Sequence, residues 1–269
     1  MIKQLALTFF VLLVFSVKCF AQLGGFSREI GIICGPVAFQ SDYGERNDLS
    51  TNAGNTGFGI GIIYYLNFSD KQSYHYSRQQ TYFDEHFKLR SELSYSHTKL
   101  KHFGRWVEYD NGSLGVQQLR AMRGSVTLMN IGLQLEYFPL NIRDFNATVG
   151  SFAPFVSFGG QFSYYNPNTY SLLGPLGTEE NTFPKYLTPS DGKPHGYTSD
   201  SGNVWSAIAS VGTKYKLSPL TDLMVDLQFQ YYFSDWVDGL NANPELYKEN
   251  RANDSLIWFN VGYIYYLEY

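Results

Sequence analysis

The chain has 269 residues and a formal net charge of −4, with 17% aromatic and only 16% charged residues. This bias excludes a disordered chain, which would be charge-rich and aromatic-poor, and it leaves no basic footprint for nucleic acid. A helical membrane protein needs apolar runs of about 18 residues, and none follows the N-terminus; 22 Tyr, 21 Phe, 25 Gly and a mean hydropathy of −0.23 suit a sheet with one apolar and one polar face.

Residues 1–21 read as a secretion signal. Lys3 supplies the positive start, Leu5 to Val17 the apolar core, and Cys19-Phe20-Ala21 the small residues before a cut at Gln22. Acylation of Cys19 is the competing reading, and Lys18 directly before it is a poor fit. Cleavage after Ala21 leaves Cys34 as the one cysteine of a single domain, 22–269, which rules out an internal disulfide.

Eight segments then alternate with period 2. The first, Glu29 to Gln40, is the least regular: apolar residues occupy both parities and Pro36 interrupts it, which predicts a kink or bulge. In the second, Thr56 to Phe68, Phe58, Ile60 and Ile62 share one face and Gly57, Gly59 and Gly61 the other. The third, His86 to His97, sets Phe87, Leu89, Leu93 and Tyr95 against Lys88, Arg90, Glu92 and Ser94. Three successive charges of one parity suit a barrel lumen, with the apolar set facing lipid.

The fourth segment, Ser125 to Phe138, sets Met129, Ile131, Leu133 and Leu135 against Asn130, Gly132, Gln134 and Glu136. The fifth and sixth run Phe152 to Tyr165 and Val204 to Leu217, the latter carrying Lys214 and Lys216 inward. The seventh, Asp222 to Phe233, turns Asp226, Gln228 and Gln230 inward. The eighth, Ser255 to Tyr269, alternates to the last residue, with Tyr263, Tyr265, Leu267 and Tyr269 outward and Glu268 inward.

The expected fold is all-β: an eight-stranded up-and-down antiparallel transmembrane β-barrel in the outer membrane, both termini periplasmic, with long extracellular loops. Those loops are Ser41 to Asn55, Thr98 to Gly124, Asn166 to Asn203 and Asp235 to Asp254. The long link Ser69 to Glu85 falls on the wrong side for this pattern. It and the second loop each have room for a further strand, leaving ten strands as the alternative.

Several stretches resemble the small outer-membrane barrels of Bacteroidota, in particular a flavobacterial family of such proteins. They are GPVAFQSDYGERND (Gly35 to Asp48), NAGNTGFGIGIIYYLNF (Asn52 to Phe68), HFKLRSELSY (His86 to Tyr95), the third-loop run Ser171 to Gly196, and FNVGYIYYL (Phe259 to Leu267). The resemblance implies fold and location and carries no catalytic motif over. The last strand also resembles the C-terminal signal by which the barrel-assembly machinery recognises its clients, which casts Tyr263, Tyr265, Leu267 and Tyr269 in that role.

An eight-stranded barrel is just wide enough for side chains to fill it. Lys88, Arg90, Glu92, Glu136, Lys214 and Asp226 therefore read as a structural plug, with Arg90 paired to Glu136 and Lys214 to Asp226 by depth. Of His75, His86, His97, His102 and His195, His97 stands at the height of the outer-rim catalytic residues of lipid-modifying barrels, but its parity is outward and no fixed acid accompanies it. The acidic clusters Asp42, Glu45, Asp48 and Asp235, Asp238 match no calcium loop, and Gly174 to Thr178 lacks the Lys of a phosphate loop.

The second loop is basic, and Lys99, Lys101 and Arg105 are the candidate contacts for lipopolysaccharide phosphates. The third loop, Asn181 to Tyr197, with its aromatics and prolines, reads as a lid or a partner surface. The reading as a whole is a non-enzymatic scaffold or accessory subunit of an envelope complex, with no cofactor or metal. Its partners would be outer-membrane lipid, the barrel-assembly machinery and an envelope protein. The alternatives are a small-solute or lipid-handling barrel and, behind it, a lipid-modifying enzyme.

Overall fold

The computed structural model describes residues 27–44, 48–52, 54–68, 81–108, 112–248 and 252–267. The expected secretion signal, Glu45, residues 69–80 with His75, Glu268 and Tyr269 lie outside the described residues.

Eight strands close into one antiparallel barrel in chain order. They are β1 (Ser27–Gln40), β2 (Thr56–Asn67), β3 (Phe87–Lys101), β4 (Met122–Tyr137), β5 (Phe152–Ser171), β6 (Gly202–Ser218), β7 (Thr221–Tyr232) and β8 (Ser255–Leu267). Among the described residues the second loop holds no further strand. It folds as two short helices, Arg105–Glu108 and Leu114–Ala121, so the ten-stranded alternative fails there. The described end of the long link before β3 is likewise a short helix, Tyr82–His86, capped reciprocally by Thr81 and Asp84.

Alternation sets the two faces of every strand. On β4, Met129, Ile131 and Leu133 are 53%, 60% and 54% exposed, whereas Asn130, Gln134 and Glu136 between and beyond them are buried. The outward apolar set runs around the whole barrel. Near the chain termini it is edged by aromatic residues, including Tyr64, Phe87, Tyr137, Phe152, Tyr215 and Tyr265. Phe87 packs on Tyr137 at 5.1 Å and Phe152 on Tyr215 at 4.9 Å between ring centroids. Toward the loop end the outward face turns polar at Gln40, Thr56, His97, Thr127, Asn166, Asn203 and Ser255. From Phe87 to Tyr95 the apolar belt is about 20 Å tall, given a rise of about 3.4 Å per residue and a tilt of about 40°.

The first strand is more regular than its sequence. It pairs with β2 without a register shift, and with β8 in one register on both sides of Gly35 and Pro36, which the β1–β8 ladder skips. The expected bulge is absent for a local reason. Pro36 points outward, and the indole of Trp258 donates to the carbonyl of Gly35 at 3.2 Å, supplying a donor where the ladder lapses. A Cβ on Gly35 would collide with the carbonyl oxygen of Phe259, so the closing seam demands glycine there.

The lumen is stratified. Charged side chains fill the end nearest the termini, amides and hydroxyls such as Gln161, Ser163 and Gln228 the middle, and Phe39, Leu128, Tyr232 and Leu256 the part nearest the loops. The third loop folds over that open end. Tyr186 is buried and donates to the carbonyl of Asp42 at 3.1 Å. The fourth loop joins it: Asp238 accepts from the amides of Asp42 at 2.9 Å and Leu240 at 2.7 Å. Asp254 accepts from Val237 at 3.0 Å and Asp238 at 3.1 Å. These acidic residues of the loops therefore serve as backbone ties.

Gly35→Ala should weaken β1–β8 closure by roughly 1–3 kcal/mol, the usual cost of overpacking. Gly160→Ala, whose added Cβ meets nothing closer than 3.8 Å, is the control. The check is the urea midpoint of the refolded barrel, read as loss of the compact, heat-modifiable gel species; equal midpoints for the two variants would contradict the seam constraint.

Candidate functional site

Nine ionisable side chains converge at the terminal end of the lumen: Lys88, Arg90, Lys214 and Lys216 against Glu29, Glu92, Glu136, Asp222 and Asp226. All are buried, and strand parity aims each of them inward. Arg90 is the hub. Its Nη1 lies 2.9 Å from Asp226 and 3.5 Å from Glu136, and its Nη2 lies 2.9 Å from Glu92. Lys88 pairs with Glu29 at 2.6 Å, Lys214 with Glu136 at 2.9 Å, and Lys216 with Asp222 at 3.1 Å.

The expected pairing of Arg90 with Glu136 is present, but that of Lys214 with Asp226 is not. The residue opposite Asp226 on β6 is Gly212, and Lys214 sits opposite Met224. Lys214 therefore crosses the lumen to Glu136 on β4, and Asp226 is left to Arg90. Aromatic rings complete the cation sites. The Lys214 ammonium lies 3.7 Å from the centroid of the Tyr65 ring and that of Lys216 lies 3.6 Å from Tyr266. The same tyrosines donate to the carboxylates, Tyr65 to Glu136 at 2.9 Å and Tyr266 to Asp222 at 2.7 Å.

Glu29, Asp222, Tyr65 and Tyr266 are the members sequence reasoning missed. Glu29 sits on the irregular first strand, where apolar residues of both parities hide the inward set. Asp222 was readable, since it shares parity with Asp226 and Gln228.

A second arrangement lies on the outside, just beyond the polar edge of the belt. Lys99 and Lys101 of β3 and Arg123 and Ser125 of β4 share the outward face with Asn168 and Tyr170 of β5. They line an open cleft of about 540 Å³, with His97 at its lower edge. Lys101 stands directly opposite Arg123, and Arg123 directly opposite Tyr170. Of the expected trio of Lys99, Lys101 and Arg105, the first two line the cleft. Arg105 sits on the short helix of the second loop and does not line the cleft. Its charge helps to hold the Asp48 carboxyl below its usual range, behind the larger contributions of the Ser50 hydroxyl and amide.

The histidines have other partners. His97 is bonded to the Thr127 hydroxyl at 2.9 Å, His86 to the Phe138 carbonyl at 2.6 Å, and His195 to the Leu187 carbonyl at 3.2 Å. His102 is wedged between the rings of Tyr43 and Tyr186, with centroids at 5.0 Å and 6.3 Å. Burial above all, and then Lys185 and Arg123, push its pKa down to about 3, so it is neutral at physiological pH. His102 forms part of a second cleft of about 570 Å³ between the first three loops, walled by Phe103, Val116, Leu119 and Phe183. Among the described residues no group of three or more His, Cys, Asp or Glu is arranged to hold a metal ion.

The sequence matches no protein-family model and no curated protein. Solved structures similar to the chain include Ail, the attachment invasion locus protein of Yersinia pestis, in complex with the heparin analogue sucrose octasulfate. It has 8% identity and a TM-score of 0.43 over 90% of this chain and 99% of that one. Neisserial surface protein A has 11% identity and a TM-score of 0.44 over 88% and 96%. The outer membrane protein OprG of Pseudomonas aeruginosa has 10% identity and a TM-score of 0.42 over 91% and 97%.

Arg90→Met should strip Glu92, Glu136 and Asp226 of their shared cation and destabilise the barrel by about 3–5 kcal/mol, the cost of orphaning a buried charge. Double-mutant cycles on unfolding free energy in lipid vesicles separate the pairings. Lys214→Met should couple strongly to Glu136→Gln and weakly to Asp226→Asn; the reverse ranking would restore the pairing read from depth.

Proposed function

We propose that this chain is a non-enzymatic outer-membrane β-barrel that serves as a scaffold or accessory subunit, using its loop end and rim rather than its lumen. The observation that carries this reading is the charged plug. All nine ionisable groups at the terminal end of the lumen are buried and each is in an ion pair with another of them, and eight strands leave no width for a water channel around them.

The membrane part of the proposal rests on the belt. A soluble monomer rarely exposes a contiguous apolar patch beyond roughly 300–600 Å², whereas here outward Ile32, Ile62, Leu93, Ile131, Phe158 and Leu227 belong to a band that encircles the molecule. Its height of about 20 Å is near the apolar band of about 25 Å expected of outer-membrane barrels. A closed barrel also leaves no unpaired strand edge, which lipid would not tolerate. With the secretion signal read at the N-terminus, an outer membrane is the destination this supports, with the termini on the periplasmic side.

A second reading is a barrel that handles a small solute at its outer face. The cleft between the first three loops favours it, since aromatic walls beside His102 and Lys185 suit a small amphipathic molecule.

Planar-bilayer recording tests the main reading. The purified barrel should insert and show no steady open state, and Arg90→Met should leave it closed unless the fold is lost. Stable large conductance from the wild type would overturn the plug.

A further inference from the structure

We propose that the rim cleft formed by Lys99, Lys101 and Arg123 binds the phosphates of a glycolipid in the outer leaflet. The inference rests on the membrane reading above and names a lipid partner for the rim. Its first support is electrostatic. Lys101 and Arg123 are directly opposed on neighbouring strands, and Lys99 is two residues along the same face. Like charges so opposed destabilise a sheet pair. None of the ion pairs in the described structure involves any of the three. An anion placed between them relieves that repulsion and gains charge-assisted hydrogen bonds.

The second support is position. The cleft begins where the belt ends: Tyr95 and Met129 are the last outward apolar pair, His97 and Thr127 follow, then Lys99 and Ser125, then Lys101 and Arg123. A lipid whose acyl chains lie against Leu93, Tyr95 and Met129 has its headgroup at this height. The third support is shape and chemistry. The cleft runs from Thr56 at the end of β2 across β3 and β4 to β5, about 14 Å at the usual strand spacing. Ser125, Asn168 and Tyr170 stand beside the cations as hydroxyl and amide partners for sugar. A free anion or an acidic polypeptide would use the charges but not the adjoining apolar wall, so the lipid is favoured.

The test uses the full barrel in mild detergent, with bisphosphorylated lipid A as the probe and native mass spectrometry as the readout. The expected result is one lipid A retained per barrel, at least tenfold weaker retention of chemically dephosphorylated lipid A, and a loss of at least tenfold in Lys99→Ala/Lys101→Ala/Arg123→Ala. Since these residues are exposed or half-buried at the rim, the variant should keep its heat-modifiable mobility, which is checked first; a single Lys101→Ala variant serves if it does not. Retention unaffected by either substitution overturns the proposal. So does equal binding of the dephosphorylated lipid, or equal binding of an acyl-free glucosamine phosphate, or capture of polyglutamate without lipid A. Insertion into vesicles, scored separately by protease protection, tells failure of this site from failure of the membrane reading.

Discussion

The guanidinium of Arg90 is the interaction on which the interior depends. A closed eight-stranded barrel has a lumen that must be filled, and here its terminal end is filled with charge. Charges withdrawn from water persist only when paired and hydrogen-bonded. Arginine meets that demand where lysine would not, because its planar fork reaches separate carboxylates at once. Arg90 touches Glu92 on its own strand, Glu136 on β4 and Asp226 on β7. Lys214 then links Glu136 to β6, and Glu29 ties Lys88 to β1. A five-member cluster centred on Arg90 thus braces opposite walls of the barrel, with the Lys88–Glu29 and Lys216–Asp222 pairs beside it, and Tyr65 and Tyr266 each donate to a carboxylate while their rings flank an ammonium group.

The architecture was legible because period-2 alternation is a property of each strand by itself. Glu92 and Glu136 could be aimed inward, and Ile131 and Phe259 outward, without knowing which strands pair. Contacts across the lumen were not legible, because they depend on shear and stagger that no single strand encodes. Lys214 and Asp226 looked like neighbours by depth, yet register places Gly212 opposite Asp226 and sends Lys214 to Glu136. The first strand failed differently. With Gly31, Ile33 and Val37 inward and Ile30 and Ile32 outward, both faces are small or apolar, so parity alone did not mark Glu29 as a lumen residue.

The rim shows the same limit in another form. Lys99, Lys101 and Arg105 are near in sequence, and a loop reading groups them. The two strands run further than alternation suggested, to Lys101 and back from Met122. That extension carries Arg123 to a position opposite Lys101, while Arg105 leaves with the short helix toward Asp48. Residues more than twenty apart become a cross-strand pair because the sheet continues beyond the belt.

The contrast between the two basic groups separates structure from recognition. Inside, Lys88, Arg90, Lys214 and Lys216 each lie within 3.1 Å of a carboxylate, because an unpaired charge there would cost about 3–5 kcal/mol. On the rim, Lys99, Lys101 and Arg123 are in no ion pair of the described structure, although the chain carries 24 acidic residues against 20 Lys and Arg. Composition therefore does not explain the uncompensated cations. Water can solvate exposed charges, so stability does not require a carboxylate there, but neither does it favour placing Lys101 opposite Arg123. An arrangement that is mildly unfavourable in the free barrel and favourable around an anion is what a binding surface needs. On the proposed membrane reading, its place at the upper edge of the apolar belt puts the headgroup of an adjoining lipid within reach.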